Sequence, residues 1–180
     1  MPTFVALLRG INVGAQKKIK MADLKQVYES LGYANVQTYV QSGNVVFDAS
    51  SGDANKAAAE QEAAIQKHFG FDVPVIVVSP AELASIVERN PFKGAKSEDH
   101  TKLLVTFLSD APSADGIEAL KAVPTNDELV VDGKAVYLHV PGGYGESKLS
   151  NTVVEKKLKV TGTTRNWRTI QTLIEMAASK

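Results

Sequence analysis

Three stretches combine cations, glycines and amides in a way that could bind a ligand. The first is Arg9-Gly10-Ile11-Asn12-Val13-Gly14-Ala15-Gln16-Lys17-Lys18-Ile19-Lys20, which holds four cationic side chains and two glycines. Glycine lets backbone amides approach a ligand, and a helix N-terminus beyond the loop adds the positive end of a dipole. This is a recipe for an anion site, although not a Walker loop, which needs Gly-Lys-Ser/Thr at the helix start. The second is Pro141-Gly142-Gly143-Tyr144-Gly145-Glu146-Ser147-Lys148, another glycine-rich run that leads toward a helix, with Ser147 as candidate N-cap. The third, Thr161 to Thr169, crowds hydroxyls, an amide, Arg165 and Arg168 before an apolar helical stripe that begins at Trp167. A helix dipole disfavours arginine there, so the pair suggests a partner anion or a buried carboxylate. Each stretch also has a plainer reading: a solvated basic loop, a tight turn, and a capped helix with Arg165 paired to an acidic residue of the middle segment.

Other reactive side chains lack partners at useful spacing. Ser42 has no Gly-x-Ser-x-Gly context and reads as a turn residue. His68, His100 and His139 are too scattered for a zinc set, and Asp127-Glu128 read as turn chemistry rather than a chelate. No general base can be nominated, so the catalytic residues and any cofactor stay unknown, and no metal is expected.

Hydrophobic patterning supplies the elements that must position these loops. Thr3–Arg9 reads as a buried strand, and Met21, Leu24, Val27, Tyr28 and Leu31 recur at helical spacing before Gly32. Val36–Gln41 and Val45–Asp48 flank Ser42-Gly43-Asn44 as a hairpin. A helix follows from Asp53 to His68, then a strand over Phe71–Ser79 with Pro74 placing it at an edge or early position. Ser79-Pro80-Ala81-Glu82 is a capping box for the next helix, which Asn90-Pro91 ends. After a connector over Phe92–His100 come a strand Leu103–Leu108, a helix Ser113–Ala122 and a hairpin Glu128–Val131/Ala135–Val140. A helix from about Ser147 to Leu158, broken by Gly162, and a last helix from Trp167 complete the chain. The order is βαββαβ and then βαββα with one extra helix. It predicts an α+β fold of two tandem ferredoxin-like (split βαβ) units, the second incomplete. The domains are expected at 1–79 and 101–180, joined by a helix and connector over 80–100.

Composition narrows the class. Of 180 residues 44% are hydrophobic and 22% charged, typical of a soluble globular protein. The absence of cysteine excludes disulfide scaffolds, thiolate metal sites and cysteine nucleophiles. No apolar run is long enough for a membrane span or preceded by the basic residues of a signal peptide, so a cytoplasmic location is expected. Twenty basic and twenty acidic side chains cancel overall. Along the chain they do not: residues 1–30 carry +3, residues 31–140 carry −7 and residues 141–180 carry +4. All three loops lie in the positive ends.

RGINVG, KKIKMADL, QSGNVVF, GESKLSN and TTRNWRT resemble the signature segments of a bacterial family, the domain of unknown function numbered sixteen ninety-seven. Ala15 stands where many relatives have a second glycine. The resemblance implies a small α+β protein with a pair of ferredoxin-like units and no established activity. The leading expectation is that the three loops converge on one cationic cleft. There Arg9, Lys18, Lys20, Lys148, Arg165 and Arg168 would bind a phosphate-bearing small molecule, with Asn12, Gln41, Asn44 and Asn151 orienting it. A nucleic acid held along the basic ends is a second reading, but the aromatic stacking platform of an RNA-recognition motif is missing around Phe4 and Phe47. A homo-oligomer or protein-interaction module is the third. No membrane partner is expected.

Overall fold

The computed structural model describes residues 1–92 and 102–178. The connector expected over Phe92–His100 therefore lies largely outside the described residues, as does His100. The chain forms two compact units, one of Met1–Ser85 with Thr172–Lys180 and the other of Ile86–Gln171.

The first unit runs β1 (Thr3–Leu8), α1 (Met21–Ser30), β2 (Ala34–Tyr39), β3 (Asn44–Asp48), α2 (Ala54–Phe69), β4 (Val75–Val78) and the start of α3 (Pro80–Glu88). Its sheet has the order β2-β3-β1-β4, with every neighbouring pair antiparallel. This is the ferredoxin-like arrangement that the element order predicts. Alternation along β1 sends Phe4, Ala6 and Leu8 into the same cluster as Val45 and Phe47 of β3, Leu24 and Tyr28 of α1, and Ile65 of α2. Val5 and Leu7, on the opposite face, are also fully buried, which is why β1 is an unbroken apolar run rather than an alternating one. Phe4 and Phe47 pack with ring centroids 6.0 Å apart inside this core, so neither ring is presented for base stacking. Pro74 directly precedes β4, an edge strand, where its missing N–H leaves no ladder bond unmade. Ser79 caps α3 as its residue type dictates: the Glu82 N–H donates to Ser79 Oγ at 3.1 Å, while the Glu82 carboxylate accepts from the Ser79 hydroxyl at 3.2 Å rather than from its backbone N–H.

The second unit follows with β5 (Leu103–Leu108), α4 (Ala114–Lys121), β6 (Glu128–Asp132), β7 (Ala135–His139), a 3₁₀ turn (Tyr144–Glu146), α5 (Asn151–Leu158), β8 (Gly162–Asn166) and α6 (Trp167–Ala178). Its sheet order, β6-β7-β5-β8, repeats that of the first. This unit departs from the sequence expectation at two points. The second unit is complete, because Gly162–Asn166 is a strand paired antiparallel with β5 rather than a helix break and cap. Its polar sequence, GTTRN, carries no apolar alternation, and it is held as an edge strand by pairing with β5. Helix α5 also begins later than Ser147: Ser150 is its N-cap, with its side chain accepting from the Val153 N–H. Lys159, in the left-handed region at φ 58°, ends that helix. Gly162 sits in tight space: a Cβ there would lie 3.1 Å from Thr106 Cγ2 and 3.3 Å from the Phe107 carbonyl. Among the described residues, no helix is long and apolar enough to cross a membrane.

Candidate functional site

The first loop is organised by one amide. Asn12 sits in the left-handed region at φ 55°. Its Nδ2 donates to the carbonyls of Ile19 at 3.0 Å and Gln41 at 2.9 Å, while its Oδ1 accepts the Ile19 N–H at 2.8 Å. Backbone bonds from Asn12 N–H to the Lys17 carbonyl and from Gln16 N–H to the Val13 carbonyl fold the tip back on itself. Asn12 thus closes the loop and ties it to the β2–β3 turn. That turn is held in the same manner: Asn44, fully buried, donates to the Tyr39 carbonyl at 2.9 Å and to Ser42 Oγ at 3.0 Å. Gly43 has φ +93°, and a Cβ on it would fall 2.7 Å from Ile11 Cδ1, so only glycine lets the turn press against the loop. The described positive-φ residues other than glycine number five, and Asn12, Lys17 and Val40 belong to these two segments. Backbone strain is therefore concentrated where the loop and the hairpin meet.

A cleft of about 400 Å³ opens beside them, lined by Asn12, Lys18, Ile19, Lys20, Asp23, Gln41 and Phe69. Four of the residues expected to bind a ligand therefore share one concavity. Lys20 is the N-cap of α1 and provides no side-chain cap, so the first amides of that helix lack the usual side-chain acceptor. Asp23 and Phe69 also line the cleft, although the sequence pattern does not point to them. Asp23 sits in the first turn of α1, where an acidic residue is ordinary, and Phe69 arrives from the far end of α2, which no local pattern announces. Arg9 is partly buried at the end of β1, where its N–H donates to the Pro74 carbonyl, and it is not part of the lining.

The second loop lines a separate cleft of about 570 Å³, with Pro124, Thr125, Asn126, Asp127, Pro141, Gly142, Glu146 and Lys148. Ser147 does not cap a helix: its hydroxyl donates to Asp127 Oδ2 at 2.7 Å, and its oxygen accepts the Leu149 N–H at 2.9 Å. Asn151 is committed to structure, donating to the Gly162 carbonyl at 2.9 Å and accepting from the Thr164 hydroxyl at 3.0 Å. Thr164 in turn meets Thr106 at 2.7 Å, and Glu155 accepts the Gly162 N–H, so α5 and β8 are joined by a polar seam. Tyr144 brings a buried hydroxyl to this seam without closing a hydrogen bond among the described residues, and burial raises its pKa.

The third segment splits. Arg165 lies in β8, only 5% exposed, opposite Val105 in the ladder. One of its Nη atoms donates to Thr163 Oγ1 at 2.7 Å and to the Thr164 carbonyl at 3.0 Å. Burial pulls its pKa down to about 10, so it stays charged at neutral pH. Arg168 is exposed in the first turn of α6, which Asn166 caps by accepting the Thr169 N–H at 2.8 Å. His139 approaches Glu128 at 3.2 Å, and His68 packs edge-on against Phe69. Among the described residues, no three His, Cys, Asp or Glu side chains gather as a metal set.

A family model described as a protein of unknown function (DUF1697) matches residues 1–137. The chain belongs to this family. The match takes in the first unit's sheet and the loop cleft and runs on into β7 of the second unit. Among solved structures, that of the conserved bacterial protein SP0830 from Streptococcus pneumoniae is 24% identical, with 98% of each chain covered and a TM-score of 0.73. That likeness in fold extends over both units. A comparison with curated proteins gave no match.

Proposed function

We propose that the cleft beside the first loop binds a small phosphate-bearing ligand. The observation that carries this reading is the lining itself. Lys18 and Lys20 face one concavity at a helix N-terminus without a side-chain cap, and neither makes an ion pair among the described residues. Two ammonium groups and a dipole end directed at one volume suit an oxyanion, and Phe69 gives the rest of the ligand an apolar wall. Asp23 and the Gln41 amide can accept from, or donate to, hydroxyls on that body. Asn12, at the cleft wall, and Asn44, behind it, hold the loop and the turn in place. The reading rests on the first unit alone. Lys148 lines the other cleft with two acids, and Arg165 donates to Thr163 inside β8, so the reading draws on neither.

Thermal denaturation with a panel of nucleotides and phosphosugars tests this. A ligand bound only by the native protein adds about 2.7 kcal/mol of stability at 100 times its Kd. At least one member of the panel should stabilise the protein, and inorganic phosphate should compete with it. Hydrogen bonds to charged groups contribute about 1.5–3 kcal/mol each, so Lys18→Ala and Lys20→Ala should each weaken binding about tenfold or more. A panel without effect, or binding that the double variant leaves unchanged, would refute the proposal.

A further inference from the structure

We infer that the second cleft is a binding site for a small zwitterion, a molecule carrying a primary ammonium within a few bonds of a carboxylate or phosphate. The site is independent of the loop cleft and uses none of its residues. Three features of the lining carry the inference.

The first is its charge. Asp127, Glu146 and Lys148 line one concavity of about 570 Å³, within the size range of small-molecule sites. No salt bridge joins these opposite charges to each other or to any other described residue. Charges of both signs held in one cleft without neutralising each other are complementary to a ligand that carries both signs itself.

The second is the way Asp127 is held. Its Oδ2 accepts the Ser147 hydroxyl, and that hydroxyl oxygen is fixed by the Leu149 N–H. The Asp127 backbone N–H donates to Thr125 Oγ1 at 3.1 Å. One bond thus holds the backbone and another the carboxylate, leaving Oδ1 as the acceptor for an incoming ammonium. These bonds hold the carboxylate in one orientation within the cleft. The third feature is the wall, made of Pro124, Pro141 and Gly142. Proline fixes φ, so little conformational entropy is lost when a ligand settles against it. Lys148 is exposed, two residues before the Ser150 cap of α5, and can reach the anionic end of the ligand.

Titration of amide chemical shifts on the full chain tests the inference, with the α-amino acids and O-phosphoethanolamine as zwitterions and ethanolamine and inorganic phosphate as single-charge fragments. Saturable shifts centred on Asn126, Asp127, Gly142 and Lys148 are expected from at least one zwitterion, with both fragments at least tenfold weaker. The amino-acid and O-phosphoethanolamine arms decide whether the anionic end is a carboxylate or a phosphate. Asp127→Asn keeps an acceptor for Ser147 and should fold, yet it should weaken binding at least tenfold. Lys148→Ala should do the same, while Lys20→Ala should change nothing. Shifts that do not saturate, fragments that bind as well as the zwitterions, or an Asp127→Asn protein that binds unchanged would each overturn the inference.

Discussion

The two units share a strand order and differ in which crossover is long. In the first, β1 and α1 are separated by residues 9–20, while β3 and α2 are separated only by 49–53. In the second the lengths exchange places: residues 109–113 join β5 to α4, and residues 140–150 join β7 to α5. The two clefts described above lie beside the two long crossovers. Short strand-to-helix connections close the sheet end tightly, and longer ones make room that side chains then line. The same scaffold thus provides two different concavities, one lined by two lysines and one acid and the other by one lysine and two acids.

The long loops are also fixed by different means, and substitutions can separate them. In the first unit the loop and hairpin touch through strained backbone, so Gly43→Ala should have the largest effect. Its Cβ would meet Ile11 and Leu8 at 2.7 and 2.9 Å on a backbone at φ +93°. A loss of about 3 kcal/mol or more is expected in urea denaturation. Gly162→Ala in the second unit has no φ penalty and contacts no shorter than 3.1 Å, so about 1–2 kcal/mol is expected. Equal costs would show that strain is not what sets the first loop.

Asn12 and Asn151 give a second contrast. Asn12→Asp would turn a carboxylate toward the two carbonyls that now accept from Nδ2, whereas Asn151→Asp would face one carbonyl and keep the bond from Thr164. Losses of about 2–4 and 1–2 kcal/mol are expected, in that order. Only the Asn12 variant should also weaken phosphate-ligand binding. A reversed order would undo the assignment of Asn12 as organiser of the cleft.

The smallest effect concerns alkaline pH. Burial raises Tyr28 and Tyr33 in the first unit and Tyr137 and Tyr144 in the second, so the native state holds these protons more tightly than the unfolded chain. Stability should therefore fall as pH rises above the unfolded tyrosine value of about 10. Arg165 acts in the opposite sense: between about 10 and its unfolded value the unfolded chain binds more protons, and stability gains with pH. Hydrogen exchange resolved by unit should show the first unit weakening earlier as pH rises. Simultaneous loss would show that Arg165 offsets nothing.

Much of the fold was legible in the chain, because buried strands and amphipathic helices write their periods into the sequence. The hairpins, the Ser79 cap of α3 and the first unit's βαββαβ order all follow from local residue types. β8 was not legible, since Gly162–Asn166 becomes a strand only by pairing with β5. The start of α5 was misplaced for a related reason. Ser147 and Ser150 are equally good caps by type, and only the bond from Ser147 to Asp127 removes the first from that role.

The candidate site divides along the same line. Sequence alone determined that cations and glycines gather in strand-to-helix loops, because charge, glycine content and the surrounding periodicity are local properties. Tertiary structure decided which side chains are free to meet a ligand. Asn12, Asn44 and Asn151 have the chemistry of ligand-orienting amides, yet the fold spends their hydrogen bonds on backbone carbonyls and neighbouring hydroxyls. Arg165 has the chemistry of an anion clamp and lies buried in a strand. Phe69 and Asp127 enter clefts through contacts distant in sequence. A polar side chain's type sets what it can bind, but only the fold sets what it has already bound.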